Sequence, residues 1–136
     1  MVDQDLILKK LAFIETCVQD LRSSSNPQLI SSDVREERFV VHTLQLAIQS
    51  ALDIASHIVS DNRYGEPNTN RELFDLLERN QWLPNDLTEN MRNMAGFRNI
   101  VVHGYENLDL TIVQDIVENR LDDLLNFVAN IRSNLN

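Results

Sequence analysis

Apolar residues recur every three or four positions along almost the whole chain, and only three glycines (Gly65, Gly96, Gly104) and three prolines (Pro27, Pro67, Pro84) interrupt them. A chain with so few breakers cannot make the frequent turns that an all-β fold needs. The spacing predicts helices instead. Ile7, Leu11, Ile14, Val18 and Leu21 line a first helix from about Asp3 to Arg22. The segment SSSNPQLISSD breaks it, and Ser31, Ser32 or Asp33 can cap a long second helix reaching about Asp61. Val40, Leu44, Ala47, Ala51, Ala55 and Ile58 form one face of that helix, and Val41, Ile48, Leu52 and Val59 widen it. An arc so broad fits a central helix, or one covered on its second side by a partner chain.

After the loop NRYGEPNTN, a short helix over Arg71–Arg79 turns Leu73, Phe74, Leu76 and Leu77 inward. Pro84 suits the first position of a fourth helix running to His103, with Gly104 placed for a left-handed C-terminal residue. Asp109 can cap one last helix, whose seam runs through Leu110, Val113, Val117, Leu121, Leu124, Val128 and Ile131. The expected fold is therefore all-α, a bundle of four long helices and a short one, in a single domain over 1–136.

At 136 residues there is room for one core and not two. Glycine-rich phosphate loops of the GxGxxG or GxxxxGK kind are absent. The lone Cys17 excludes an intrachain disulfide or a zinc cluster of cysteines, and points to a reducing compartment. No signal peptide and no apolar run of bilayer length are visible, so a cytoplasmic protein without a membrane is expected. The three histidines, His42, His57 and His103, are scattered without metal-ligand spacing, and no metal or cofactor is expected.

The formal charge of −9 argues against nucleic-acid binding over the whole surface. Its distribution is uneven. Residues 90–105 hold Arg92, Arg98 and His103 and no acid, whereas 106–136 hold six acids against Arg120 and Arg132. Inside that acid-free window Arg98, His103 and Tyr105 spell R-x4-H-x-Y. Arginine is a permanent, bidentate clamp for phosphate, and imidazole can both take and give a proton near neutrality. Together they can cleave RNA without a metal: the 2′-hydroxyl attacks its own phosphate while arginine offsets charge on the phosphoryl oxygens. Five residues of α-helix separate Arg98 from His103 by about 140°, so one chain offers a thin site. A symmetric dimer would bring two of each into one cleft.

FRNIVVHGYENLD resembles the HEPN superfamily, and within it the HepT-type toxins paired with minimal nucleotidyltransferase antitoxins of the MntA type. The likeness extends through ALDIASHI, FDLLERNQWLPNDLTENMRNMAGF and the terminal helix. It implies a type VII-like toxin: a homodimeric, metal-independent endoribonuclease with its site in the dimer cleft. Arg98 and His103 would be catalytic, Asn99 the supporting polar residue, and Tyr105 the tyrosine that the antitoxin adenylylates. A noncatalytic nucleotide- or RNA-binding module, or an antitoxin-docking protein, is the competing expectation, favoured somewhat by the negative charge.

Other polar pairs read more plainly. His57 stands four residues after Asp53, a carboxylate–imidazole pair on one helical face that fits helix packing. Adjacent Asp122 and Asp123 point to different parts of a helix surface and make a poor glycosidase pair. His42 reads as an exposed or packed histidine, and Met91 and Met94 as core.

Overall fold

A computed structural model describes residues 3–135. Six α-helices follow one another: α1 (Gln4–Ser24), α2 (Val34–Asp61), α3 (Asn70–Arg79), α4 (Asn85–His103), α5 (Leu110–Asn119) and α6 (Leu121–Asn134). One-turn 3₁₀ segments at Pro27–Leu29 and Tyr105–Asn107 join α1 to α2 and α4 to α5. The helices start where short polar side chains take up their free amides: Asp3 accepts from Leu6, Asp33 from Arg35, Thr69 from Glu72 and Asp109 from Thr111. Pro84 is the residue just before α4.

The broad apolar arc of α2 belongs to a central helix, packed on α1, α3, α4, α5 and α6. Leu44, Ile48, Ile54 and Ile58 are sealed from solvent along it. Phe74 of α3 and Phe127 of α6 meet edge to face, with ring centroids 5.8 Å apart. Such pairing adds roughly 0.5–1.5 kcal/mol to the burial of both rings. No described helix is long and apolar enough to cross a membrane.

Two expectations change. The last helix divides at Arg120, whose φ of −126° and ψ of 6° leave the helical region. Neither glycine nor proline marks the break. The step from Val117 to Leu121 spans four residues, a spacing that also serves two helices meeting at an angle. Asp115 holds the break from one side, accepting from Asn119 Nδ2 at 2.9 Å and Arg120 Nε at 3.3 Å. Asp122 and Asp123 then fall in the first turn of α6, where carboxylates are favoured.

Gly104 has φ −149° and ψ 46°, not the left-handed conformation. That role goes to Arg63 (φ 56°) after α2 and Gln81 (φ 69°) after α3. Each closes a Schellman motif: Tyr64 N–H donates to the Val59 carbonyl, and Trp82 N–H to that of Leu77. The two caps are tied together, because Trp82 Nε1 donates to the Tyr64 hydroxyl at 3.0 Å.

Helix α3 runs against α4. Arg92 Nε lies 3.6 Å from Asp75 Oδ1, and one turn along each helix the Arg71 guanidinium rests over Gly96. A methyl group at Gly96 would collide with it. Glycine inside a helix costs about 1 kcal/mol relative to alanine, so this close approach is held against local preference.

Gln81→Gly should therefore relieve left-handed strain and stabilise the fold by up to about 1 kcal/mol, seen as a raised Tm. Between α1 and α6, Arg132 Nη2 lies 2.8 Å from Glu15 Oε1 and holds that carboxyl below its ordinary range. A depressed carboxyl stabilises the fold above its unfolded pKa, and that contribution disappears as pH falls through the folded value. Both side chains are nearly half exposed, so the contribution should stay below about 1 kcal/mol. In acid titrations followed by circular dichroism, Glu15→Gln should remove that small component of the wild-type loss.

Candidate functional site

Apolar Leu87, Met91, Met94 and Val101 fix which side of α4 enters the core. Arg98 stands four residues beyond Met94, near the middle of that side. Its guanidinium is consequently half-buried. Nη1 donates to Asn99 Oδ1 at 3.3 Å, while Nε is buried without a hydrogen-bond partner in the protein. An unbonded buried donor costs about 1–3 kcal/mol, and no carboxylate among the described residues compensates this one. Packing alone would not select such a group.

His103 is the last residue of α4 and is exposed. It lies on the opposite flank, sharing a face with Asn99 one turn back, and no hydrogen bond links it to Arg98. One chain therefore brings Arg98 to Asn99 and leaves His103 on the other flank, on Asn99's face.

Tyr105 opens the 3₁₀ turn that follows. Its hydroxyl donates to Glu37 Oε2 at 2.9 Å, crossing from α4's end to the start of α2. Burial, then the hydrogen bond and charge of Glu37, push this phenol above its ordinary pKa, so it is protonated at neutral pH. Beside it opens a groove of about 620 Å³ lined by Arg38, Phe39, His42, Thr43, Val101 and Tyr105. That volume falls within the range of pockets that hold small organic ligands. Glu37, Arg38 and His42 carried no sequence signal for this role, since Glu37 and Tyr105 are 68 residues apart.

The remaining candidates separate. Asp53 does not pair with His57. Its carboxylate accepts from Gln49 Nε2 at 2.9 Å and from Lys10 Nζ at 3.4 Å, and His57 has no hydrogen-bonded partner among the described residues. Lysine from the neighbouring helix is the stronger claim on that carboxylate. Asp122 turns to Arg22 on α1, at 2.6 Å, and Asp123 accepts from Asn90 on α4. Cys17 is buried, and its burial raises the thiol to about 11, so it is an inert core residue. Among the described residues no cluster of histidine, cysteine or carboxylate could hold a metal.

Residues 7–131 match the family model described as Ribonuclease HepT-like. The mRNA nuclease HepT of Shewanella oneidensis is 32% identical over 130 residues, covering 95% of this chain and 98% of that protein. The tRNA nuclease HepT of Aphanizomenon flos-aquae is 37% identical over 102 residues, covering 75% of this chain and 62% of that one. Among solved structures, the tri-AMPylated Shewanella oneidensis HEPN toxin in complex with MNT antitoxin superposes with a TM-score of 0.87 at 31% identity, covering 98% of this chain and 99% of that one. Sequence and fold agree, and this chain belongs to the Ribonuclease HepT-like family of HEPN proteins.

Proposed function

We propose that this protein is the toxin of a type VII-like toxin–antitoxin pair, an endoribonuclease that needs no metal. Its site is a cleft between two copies, and a nucleotidyltransferase antitoxin neutralises it by adenylylating Tyr105. The observation that carries the reading is the end of α4: a half-buried arginine with no acidic partner and an orphaned donor, followed by an exposed histidine in a stretch without acids. The nuclease names of the relatives and the antitoxin bound to the similar toxin support it.

In this scheme the 2′-oxygen of RNA attacks the neighbouring phosphorus and the 5′-oxygen departs, leaving a cyclic phosphate. His103 takes the 2′-hydroxyl proton, and the partner's His103 supplies one to the leaving oxygen. Arg98 offsets charge on the phosphoryl oxygens, and Asn99 orients the guanidinium that it already bonds. A second copy is needed because Arg98 and His103 leave α4 about 140° apart. Apolar Ile100 and Val102, both exposed within three residues of His103 on α4, offer a second chain a surface to cover.

Adenylylation joins the Tyr105 oxygen to the α-phosphorus of a nucleoside triphosphate and releases pyrophosphate. The phenolic proton is lost, so the bond to Glu37 must be surrendered. The new phosphate brings charge toward Arg98, and the nucleoside brings bulk toward His103. The net charge of −9 favours a second reading, a module that binds nucleotide or RNA without cutting it, or only docks the antitoxin.

Purified protein should cut RNA in excess chelator and leave 2′,3′-cyclic ends, and His103→Ala should lower the rate at least 100-fold with helicity and dimer mass unchanged. Full activity in that variant, or activity lost with the chelator, contradicts the mechanism. On co-expression with the antitoxin, intact mass should rise in steps of one AMP, and Tyr105→Phe should abolish the steps. Stepwise gain in that variant would place the modification elsewhere.

A further inference from the structure

Arg71 is a poor choice for folding. It sits in the first turn of α3, where the helix dipole disfavours a cation. Among the described residues it has no ion pair and no hydrogen bond, although its neighbour Asp75 is paired with Arg92. Its guanidinium lies over Gly96, a helix-interior glycine whose missing side chain makes the room. Two local preferences are thus set aside to place one unpaired guanidinium against α4. Such violations concentrate where a chain carries function.

Its location gives the function. Gly96 and His103 are seven residues apart, two helical turns, so they share a face of α4 to within about 20° and lie roughly 10 Å apart along the axis. Asn99 lies between them on that face. The Cα–Cβ bond of His103 tilts back toward the start of α4, as in every helix, and so toward Arg71. Arg98 enters the core side and cannot serve this flank.

We propose that Arg71 is a positioning residue that clamps a phosphate of the RNA strand next to the one being cut, with Gly96 as the seat of its guanidinium. This rests on the RNA-cleaving site proposed above. Arginine's planar fork suits a phosphate, and an exposed, unpaired guanidinium gives up no existing partner to bind one.

The test uses the full chain with single-stranded RNA, following binding by anisotropy in a His103→Ala background and cleavage in the otherwise wild-type protein. Arg71→Ala should raise both Kd and KM about fivefold or more at low salt, with kcat changed less than about threefold. The slope of log affinity against log salt should become shallower by about 0.7, the value of one single-strand phosphate contact. Arg71→Lys should restore that slope. Gly96→Ala should also weaken binding while leaving Tm unchanged or higher, because alanine favours the helix and displaces only the guanidinium. An unchanged Kd and salt slope in Arg71→Ala overturns the proposal, as does a fall in Tm that accounts for the weaker binding. Wild-type protein that binds RNA yet leaves it uncut refutes the nuclease reading alone; protein that binds no RNA refutes both.

Discussion

Helix α4 has to build the core and, in the proposed function, carry the chemistry at once, and the geometry of the candidate site follows from that double duty. Leu87, Met91, Met94 and Val101 dictate its rotation. Once they are buried, Arg98 is forced inward and His103 outward. The half-buried guanidinium with its unbonded Nε is the consequence, and so is the divergence of Arg98 from His103. In the proposed function, a site split in this way would depend on assembly. Rotation of α4 cannot reduce the roughly 140° that separates these two residues around its axis.

Electrostatics reinforces the division. The chain is strongly acidic, yet four of its carboxylates are paired with cations away from the C-terminal part of α4: Asp53 with Lys10, Glu15 with Arg132, Asp122 with Arg22, Asp115 with Arg120. Among the described residues no ion pair involves positions 93–109. The negative total and a local preference for anions are therefore compatible. At the usual screening length of about 10 Å, those four paired acids would act only weakly on an anion at the end of α4.

Much of this was legible in the sequence because periodicity reports burial directly. The spans of α1 to α4 and the inward faces of α2 and α3 are written in the spacing of leucines, isoleucines and valines. The charge gap around Arg98 and His103 is equally plain. The break at Arg120 is not, since no residue there forbids a helix and the decision belongs to tertiary packing. Left-handed caps at Arg63 and Gln81 were hidden for a related reason: the hydrogen bonds of a Schellman turn can hold a residue with a side chain where glycine would be easier. Contacts such as Glu37 with Tyr105 and Arg71 over Gly96 join segments far apart in the chain, and one-dimensional spacing carries no trace of them.

The tie between Trp82 and Tyr64 makes this fold report on itself. Trp82 is the sole tryptophan, and its indole N–H is committed to the phenol that ends the central helix. Intrinsic fluorescence therefore watches a single joint, the place where α2, α3 and the approach to α4 are fastened together. Any event that shifts α3 along α4, such as loosening of the bundle, would disturb that joint. The protein thus carries its own optical probe, without a label.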